Sequence, residues 1–308
     1  MSKIYVIHEN RDWFKPLELE LSKRGLPFEE WFLNDGHFDM SQEPPNGVFY
    51  NRMSASSHTR GHRYAPEYTA CVLNWLQMYG RKVFNPSRAL YLEISKVAQY
   101  SALSARGIAV PRTIAVSGRD EVLEAARAFD KPFITKHNRA GKGLGVRKFD
   151  NRAALESYVG SGQFEESVDG ITLLQDYIKA PGLYITRCEF IGGKFLYAVR
   201  IDTRDGFELC PADVCQIDDL FCPVTGSPRA KFEIIRDFSS PLIPKYEAFL
   251  EVSDIHIAGI EFIEDEHGQA FTYDVNTNTN YNSDAERVAG ISGMGAIAEL
   301  LGKALNEI

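Results

Sequence analysis

The order of strand and helix signals changes along this chain of 308 residues. In its first part, short apolar runs at Ile4–Ile7, Phe28–Leu33 and Gly47–Tyr50 alternate with helical stretches. Strands joined by helices pair in parallel, because a parallel connection needs a long crossover. The first part is therefore predicted to be a small parallel α/β domain.

The later part of the chain favours antiparallel strands. One helix is predicted from Ala89 to Arg106, and a strand is predicted over Pro132–Lys136. Beyond residue 180, pairs of apolar runs are separated by short glycine-containing turns, which is typical of hairpins. The predicted hairpins join Tyr184–Ile191 to Lys194–Ile201 around Gly192-Gly193, and Ala258–Ile263 to Ala270–Val275. The expected fold class is α/β with α+β, divided into domains at residues 1–88, 89–174 and 175–308.

A glycine-rich loop at residues 137–145 follows the strand that ends at Lys136. Alternating glycines let a backbone approach a ligand and turn its N–H groups toward an anion. The loop lacks the spacing of a P-loop and of a dinucleotide fingerprint. It is predicted either to bind phosphate or to be a flexible hairpin loop with solvated lysines. The residues concerned are Lys136, Gly141, Lys142, Gly143 and Gly145.

An acidic pair lies on the last predicted hairpin, where Glu261 and Asp274 each stand between apolar neighbours. Asn276 is two residues after Asp274, and strand alternation puts the two on one face. Two carboxylates and an amide oxygen suit a hard cation such as Mg²⁺. The alternative is two outward-facing acids on a solvated sheet.

Composition excludes several classes of protein. The net charge is −8, so no overall positive field attracts nucleic acid or anionic lipid. No apolar run has the length of about 18 residues that a membrane span requires, and the apolar stretch at the N-terminus is too short for a signal peptide. Five cysteines are too few for a disulfide scaffold. We expect a cytoplasmic protein with reduced thiols and no nucleic-acid or membrane partner.

The order of these features resembles the ATP-grasp superfamily, and most closely its RimK-like branch of ribosomal protein S6 glutamate ligases. The resemblance runs from Val48 to Asn276 and implies an ATP-grasp fold with an N-terminal Rossmann-like domain. Its motifs are Lys96, Lys136 with the glycine-rich loop, a strand that ends in Gln175-Asp176-Tyr177-Ile178, Arg187, Arg200, Glu261, and Asp274 with Asn276.

The resemblance implies a role for each motif. Lys96 and Lys136 would contact the α- and β-phosphates of ATP, and the glycine-rich loop would close over the triphosphate. Residues 175–178 would hold adenine. Arg187 and Arg200 would contact the γ-phosphate if the strand register lets them face alike. Glu261, Asp274 and Asn276 would hold one or two Mg²⁺ ions, with Mn²⁺ as an alternative.

The activity that the resemblance implies is ATP-dependent ligation of a carboxylate to an amine through an acyl phosphate, with release of ADP and phosphate. The substrates would be small molecules or peptides. A homo-oligomer would be common among ligases of this kind. Two alternatives stay open, which are a kinase that releases a phosphorylated product and a non-catalytic ATP-binding module.

Two polar segments are candidates for substrate binding. Asn51, Arg52 and Ser54 follow a predicted strand at the end where ligands gather in α/β sheets. Asn278 and Asn280 belong to an amide-rich run that can both donate and accept hydrogen bonds. The alternatives are a solvated basic loop and a series of Asn-rich turns. Cys210, Cys215 and Cys222 lack a convincing fourth ligand for zinc and are interpreted as buried or reactive-loop thiols.

Overall fold

A computed structural model describes residues 2–141, 143, 145–204 and 231–308, and these form three sheets. The N-terminal sheet is parallel, with the order β2-β1-β3-β4, which confirms the predicted α/β part. Helices α1 and α2 supply its crossovers. The elements are β1 (Lys3–His8), α1 (Arg11–Lys23), β2 (Phe28–Phe32), β3 (Gly47–Asn51), α2 (Ala65–Met78) and β4 (Lys82–Phe84).

The central sheet is antiparallel, with the order β5-β8-β6-β7. The glycine-rich loop joins its neighbouring strands β6 and β7. Strand β8 ends at Asp176, just past the domain boundary predicted at residue 174, and the division into three domains stays a prediction. The elements are β5 (Thr113–Ser117), α5 (Arg119–Ala125), β6 (Phe133–His137), β7 (Arg147–Phe149), α6 (Arg152–Gly160) and β8 (Ile171–Asp176); α3 and α4 precede them, at Ser87–Glu93 and Lys96–Ser104.

The C-terminal sheet is also antiparallel, with the order β11-β10-β9-β12-β13. Both predicted hairpins are present in it, as β9–β10 and β12–β13. The elements are β9 (Tyr184–Ile191), β10 (Lys194–Asp202), β11 (Phe232–Ile235), α7 (Leu242–Val252), β12 (Ile257–Glu264), β13 (Ala270–Asn276), α8 (Ser283–Ala289) and α9 (Gly293–Leu305).

The single helix predicted over Ala89–Arg106 is wrong, because the segment forms two helices. Ser95 has an extended backbone, and its side chain accepts a hydrogen bond from Ala98 N as the cap of α4. This cap starts a new helix at Lys96. Both helices pack against the C-terminal sheet in one apolar cluster that contains Leu92 and Leu103.

Helices α7 to α9 were not predicted, and α9 shows why. It contains Gly293, Gly295 and Gly302, and glycine disfavours helices in isolation. Tertiary packing reverses that preference, since a Cβ at Gly293 would lie 2.6 Å from the Tyr281 ring. Close packing of this helix decides its structure. Val6 and Leu17 of the N-terminal domain share one core with Leu301 of α9.

No single described helix has both the length and the apolar composition to cross a membrane. Only α8 and α9 taken together pass that test, and they meet at an angle of 84°.

Asn85 follows the last strand of the N-terminal sheet and joins it to the C-terminal sheet. Its backbone has a φ of 55°, in the left-handed region that asparagine tolerates. Its amide group donates to the carbonyl oxygens of Ile257 and Thr277 at 2.8 and 3.0 Å, and its side-chain oxygen accepts from the backbone N–H groups of His256 and Ile257. One fully buried side chain thereby satisfies backbone groups of two segments.

Replacing Asn85 with alanine is expected to lower the free energy of unfolding by about 3 kcal/mol, because several buried backbone groups lose their partner. Urea denaturation followed by circular dichroism measures this change. Asn46→Ala is the matched control, since Asn46 is exposed and donates only to Ser2, and its effect should stay within about 0.5 kcal/mol. Equal stability of the two variants would contradict the role given to Asn85.

Candidate active site

A cavity of about 270 Å³ lies between the three sheets. It is lined by side chains from all three parts of the chain, as expected of a ligand site at a domain junction. The sequence-predicted residues that line it are Ser54, Lys96, Lys136, Gly141, Gly143, Gln175, Asp176, Tyr177, Ile178, Arg187, Glu261, Asp274, Asn276, Asn278 and Asn280.

One face of the C-terminal sheet supplies the charged groups of the cavity. Strand register pairs Glu261 of β12 with Arg187 of β9 on one side and with Asp274 of β13 on the other. Directly paired residues of neighbouring strands point to the same face. Asn276 follows on that face, with its Nδ2 atom 3.5 Å from Glu261 Oε1. The predicted proximity of Glu261, Asp274 and Asn276 is therefore confirmed.

Arg187 is held between two buried carboxylates. Its Nε donates to Glu189 Oε1 at 2.5 Å and its Nη1 donates to Glu261 Oε1 at 2.9 Å. Burial raises the pKa of Glu189 to about 7, although Arg187 opposes the change, and Glu189 Oε2 is buried without a hydrogen-bond partner. Burial also raises the pKa of Glu261.

Gly259 makes room for Arg187. Strand register pairs Gly259 with Glu189 on the same face of the sheet. A Cβ at this position would lie 2.3 Å from Arg187 Nη2, so only glycine fits without displacing the guanidinium. Sequence reasoning did not select Gly259, because it lies in neither a turn nor a left-handed conformation. Glycine is required there only by the neighbouring Arg187 side chain, which the sequence does not reveal.

Two lysines enter the cavity from other elements. Lys96, at the start of α4, forms a buried ion pair with Asp274. Burial would lower the pKa of Lys96, but the charge of Asp274 outweighs it and the pKa is raised. Burial likewise opposes ionisation of Asp274, yet Lys96 and Lys136 lower the pKa of its carboxyl. Lys136 Nζ donates to the Tyr100 hydroxyl at 3.1 Å and lies 5.7 Å from the centre of the Tyr273 ring.

The donor set of Glu261, Asp274 and Asn276 fits a hard divalent cation. All three side chains offer oxygen atoms, and magnesium binds carboxylate oxygens in preference to nitrogen or sulfur. The lowered pKa keeps the Asp274 carboxyl ionised. In this structure Lys96 is paired with Asp274, and Arg187 is paired with Glu261.

The glycine-rich loop is attached to the N-terminal domain at its base. The Arg139 guanidinium donates to both carboxylate oxygens of Glu67, at 2.6 and 3.2 Å, and Arg63 donates to Glu67 and to Val168 O. Gly141 faces Ser56, since a Cβ there would lie 3.4 Å from Ser56 Cβ. This contact could not be predicted from the sequence, because Arg139 and Glu67 are 72 positions apart.

The remaining loop residues differ in position. Gly145 does not line the cavity and instead packs on His137, where a Cβ would lie 2.6 Å from the imidazole ring. Its φ of 73° also requires glycine. Lys142 lies outside the described residues, as do Cys210, Cys215 and Cys222. Cys71 is exposed and Cys188 is buried.

Residues 175–178 line the cavity together with several apolar residues, and we call this part of the cavity the apolar slot. Tyr177 N donates to Pro132 O at 3.2 Å, and Gln175 Nε2 donates to the Thr113 hydroxyl at 2.8 Å. These bonds fix the segment at the end of β8. A slot with apolar walls and nearby backbone polar groups suits a planar base. The apolar residues that line this cavity and that sequence reasoning did not select include Pro111, Ile134, Val146, Leu183, Ile185 and Ile263.

Arg200 lies away from Arg187, so the condition for their shared role at the γ-phosphate, a strand register that lets the two face alike, is not met. Val199, not Arg200, is paired with Arg187, because a bulge at Leu196 shifts the register between Phe195 and Tyr197. A shift of one residue turns every following side chain to the other face. Arg200 lies over the Tyr184 ring at 4.5 Å and does not line the cavity.

Two residues of the predicted substrate segment are structural. Asn51 Nδ2 donates to Asn85 O at 2.9 Å, inside the protein. Arg52 is 2% exposed and donates to the carbonyl oxygens of Trp13 and Thr279, each at 2.9 Å. Neither residue lines the cavity, so the prediction that they contact substrate directly is not supported.

Glu93 is a cavity residue that sequence reasoning missed. Its carboxylate accepts from Ala55 N at 3.3 Å and from Thr277 N at 2.7 Å, and so joins the N-terminal domain to the segment after β13. Burial raises its pKa. The only sign of this role in the sequence was an acidic residue among apolar ones, two positions before the capping residue Ser95.

No family model matches the chain. Curated sequences give partial matches. The chain is 31% identical over 137 residues to a probable alpha-L-glutamate ligase 1 of Pseudoalteromonas atlantica, covering 43% of each. It is 30% identical over 143 residues to a probable alpha-L-glutamate ligase of Vibrio cholerae, covering 45% of this chain and 46% of the relative. The matched part spans less than half the length of these relatives.

Solved structures match nearly the whole chain. A RimK domain ATP-grasp protein from Sphaerobacter thermophilus has a TM-score of 0.69 at 16% identity, covering 97% of this chain and 99% of that one. The D-cycloserine synthetase DcsG has a TM-score of 0.66 at 16% identity, covering 98% and 99%. The ATP-grasp ligase PsnB, in complex with a minimal precursor, has a TM-score of 0.67 at 16% identity, covering 97% and 98%. The chain therefore shares the fold of these solved ATP-grasp structures, as the resemblance in the sequence implied.

Proposed function

We propose that the protein is an ATP-dependent carboxylate–amine ligase that forms an amide through an acyl phosphate and releases ADP and phosphate. The observation that carries this proposal is the convergence of Lys96, Lys136, Arg187, Glu261 and Asp274 on one cavity. The curated relatives are named as probable glutamate ligases, which supports the same reaction class.

We infer one orientation of ATP in the cavity. The apolar slot beside residues 175–178 receives adenine, and Lys136 and Lys96 reach the phosphates. Gly141 and Gly143 of the loop line the same cavity and turn backbone N–H groups toward an anion. Closure of this loop excludes water, which would otherwise hydrolyse an acyl phosphate.

Glu261, Asp274 and Asn276 would hold Mg²⁺, one ion or two, with Mn²⁺ as an alternative. One PsnB structure contains Mg and ADP, which supports this cofactor for the shared fold. Bound there, the ion would neutralise charge on the phosphate oxygens. Arg187 would add a fixed positive charge on the same face of the sheet, because Glu189 and Gly259 hold its guanidinium in place.

The reaction balances without a protein nucleophile. A carboxylate oxygen of the acid substrate attacks the γ-phosphorus, and the bond from that phosphorus to the bridging oxygen breaks to release ADP. The amine nitrogen then attacks the acyl carbon, phosphate leaves, and the nitrogen loses a proton. Arg187 and the lysines need only position groups and stabilise charge, which is most of what phosphoryl transfer requires.

The substrates are proposed to enter beside Ser54, Asn278 and Asn280, on the side of the cavity away from the adenine slot. Structures of PsnB and of a Chryseobacterium gregarium RiPP-associated ligase contain peptides, which supports small-molecule or peptide substrates. Cytoplasmic location, a homo-oligomer, and the lack of nucleic-acid and membrane partners stay predictions.

Lys136→Ala is expected to abolish amine-dependent ADP release, because the Lys136 ammonium donates to a hydroxyl, whereas that of Lys96 is paired with a carboxylate, so Lys136 offers its charge to a phosphate. A coupled ADP assay with a panel of acids and amines, with mass analysis of the product, measures this. Lys194→Ala is the control, since Lys194 is exposed on the β9–β10 hairpin. Unchanged ADP release by Lys136→Ala would overturn the assignment, and turnover without any amine would indicate a kinase.

Asp274→Asn is expected to raise the Mg²⁺ concentration for half-maximal activity at least tenfold, because a charged metal ligand becomes neutral. Titration of activity with Mg²⁺ at saturating ATP checks the change. The exposed Asp284→Asn is the matched control. A wild-type Mg²⁺ titration curve for Asp274→Asn would exclude Asp274 as a metal ligand.

Gly259→Ala is expected to reduce turnover at least a hundredfold, because its methyl group takes the place of the Arg187 guanidinium. It should also lower the free energy of unfolding by about 3 kcal/mol, since Glu189 and Glu261 lose a buried partner. Gly160→Ala is the control, because a Cβ there meets no atom within 4 Å. Wild-type turnover by Gly259→Ala would show that the position of Arg187 is not needed.

A further inference from the structure

The amide-rich segment that follows β13 has two distinct faces. Thr277 and Thr279 point into the protein and are at most 1% exposed, whereas Asn276, Asn278 and Asn280 all line the cavity. The strand itself ends at Asn276 and the chain bends at Thr277 and Asn278, yet the side chains still alternate between these two faces. Three carboxamides are thereby presented in a row, leading away from the acidic pair.

Buried charges hold the segment in place. Glu93 Oε2 accepts from Thr277 N and from the Thr277 hydroxyl, at 2.7 and 3.1 Å. Arg52 Nη2 donates to Thr279 O at 2.9 Å and to Asn280 Oδ1 at 3.2 Å. Glu93 and Arg52 each bond to the segment itself rather than to each other. The position of the row is therefore set by the protein before a substrate binds.

Arg52 also decides which atom of Asn280 faces the cavity. A guanidinium has only donors, so it can contact only the oxygen of the Asn280 carboxamide. The Asn280 amide nitrogen, with its two donors, is left for a ligand. Asn278 Oδ1 is buried without a hydrogen-bond partner and lies in the same row. A buried acceptor without a partner costs about 1–3 kcal/mol unless a ligand supplies a donor.

A donor on Asn280 and an acceptor on Asn278 match an amide, which carries one carbonyl oxygen and one N–H group. A free carboxylate has no donor for Asn278. Glu93 lines the same cavity, and its carboxylate is already used by the backbone N–H groups of Ala55 and Thr277.

We propose that one substrate of the ligase binds this row through an uncharged amide, as a peptide or an amino-acid amide, with Asn280 donating to its carbonyl oxygen and Asn278 accepting from its N–H group. This inference rests on the proposed function. Arg52 acts as a positioning residue, because it holds the Asn280 carboxamide in the orientation that presents the donor.

The test compares matched probes on the full chain with saturating ATP and Mg²⁺. Each common amino acid is offered as the free acid, as its α-amide and as its N-acetyl derivative, and ADP release and product mass are measured. The wild type is expected to use at least one amide-bearing form with a kcat/KM at least tenfold above that of the free amino acid. Equal use of all forms would overturn the proposal.

Asn280→Asp separates recognition from folding. The new carboxylate still accepts from Arg52, so the segment keeps its position, but the donor to the substrate is lost. We expect kcat/KM for the amide-bearing probe to fall at least tenfold, while KM for ATP and the melting temperature stay unchanged. Asn282→Asp adds the same charge two residues away and is neutral, because aspartate also caps a helix such as α8.

The outcomes distinguish this inference from the proposed function. Unchanged kcat/KM for Asn280→Asp with the amide-bearing probe would overturn amide recognition and leave the ligase assignment standing. If no probe supports ADP release, the ligase assignment fails. Ligand-observed NMR that compares N-acetyl-L-alaninamide with L-alanine then decides amide recognition. Preferential binding of the amide by the wild type, lost in Asn280→Asp, would support the proposal. Equal binding of the two compounds would overturn it.

Discussion

The cavity depends on buried charges that are paired across different elements. Lys96 of α4 meets Asp274 of β13, and Arg187 of β9 meets Glu261 of β12. A buried charge without a partner costs several kcal/mol, so each residue requires the other to be in place. These pairs fix the positions of α4 and three strands relative to one another. They also leave a surface rich in both charges, which is what a triphosphate with a cation needs.

Strand alternation made part of this arrangement predictable. Asp274 and Asn276 are two residues apart on one strand, and the hairpin brings that strand beside Glu261. Alternation therefore predicted that the three side chains lie on one face, as they do in the structure. Arg200 shows the limit of this reasoning. Without the bulge at Leu196, Ala198 would pair with Arg187 and Arg200 would share its face. A bulge inserts one residue, and nothing in an apolar run such as Phe195–Val199 marks where it falls.

Contacts between distant segments were beyond reach for a different reason. Arg139 in the glycine-rich loop bonds to Glu67 of α2, and Asn85 bonds to backbone groups after residue 255. Each residue type is common in loops, and only the folded chain brings its partner near. The break at Ser95 is similar, because a serine inside a helical pattern becomes a cap only when packing turns the chain. Such tertiary contacts decide where the loop and the cavity lysine lie.

Arg52 illustrates how a substrate site can be shaped without a direct contact. From the sequence, an arginine at the end of β3 suggests a carboxylate-binding group. In the fold its guanidinium is used by Trp13 O, Thr279 O and Asn280 Oδ1, all uncharged acceptors. Its positive charge is therefore not presented to the cavity, where the neutral carboxamides of Asn278 and Asn280 stand instead. The charges of the described cavity are thereby concentrated beside the acidic pair. The row of asparagines recognises the hydrogen-bond donors and acceptors of a substrate rather than its charge.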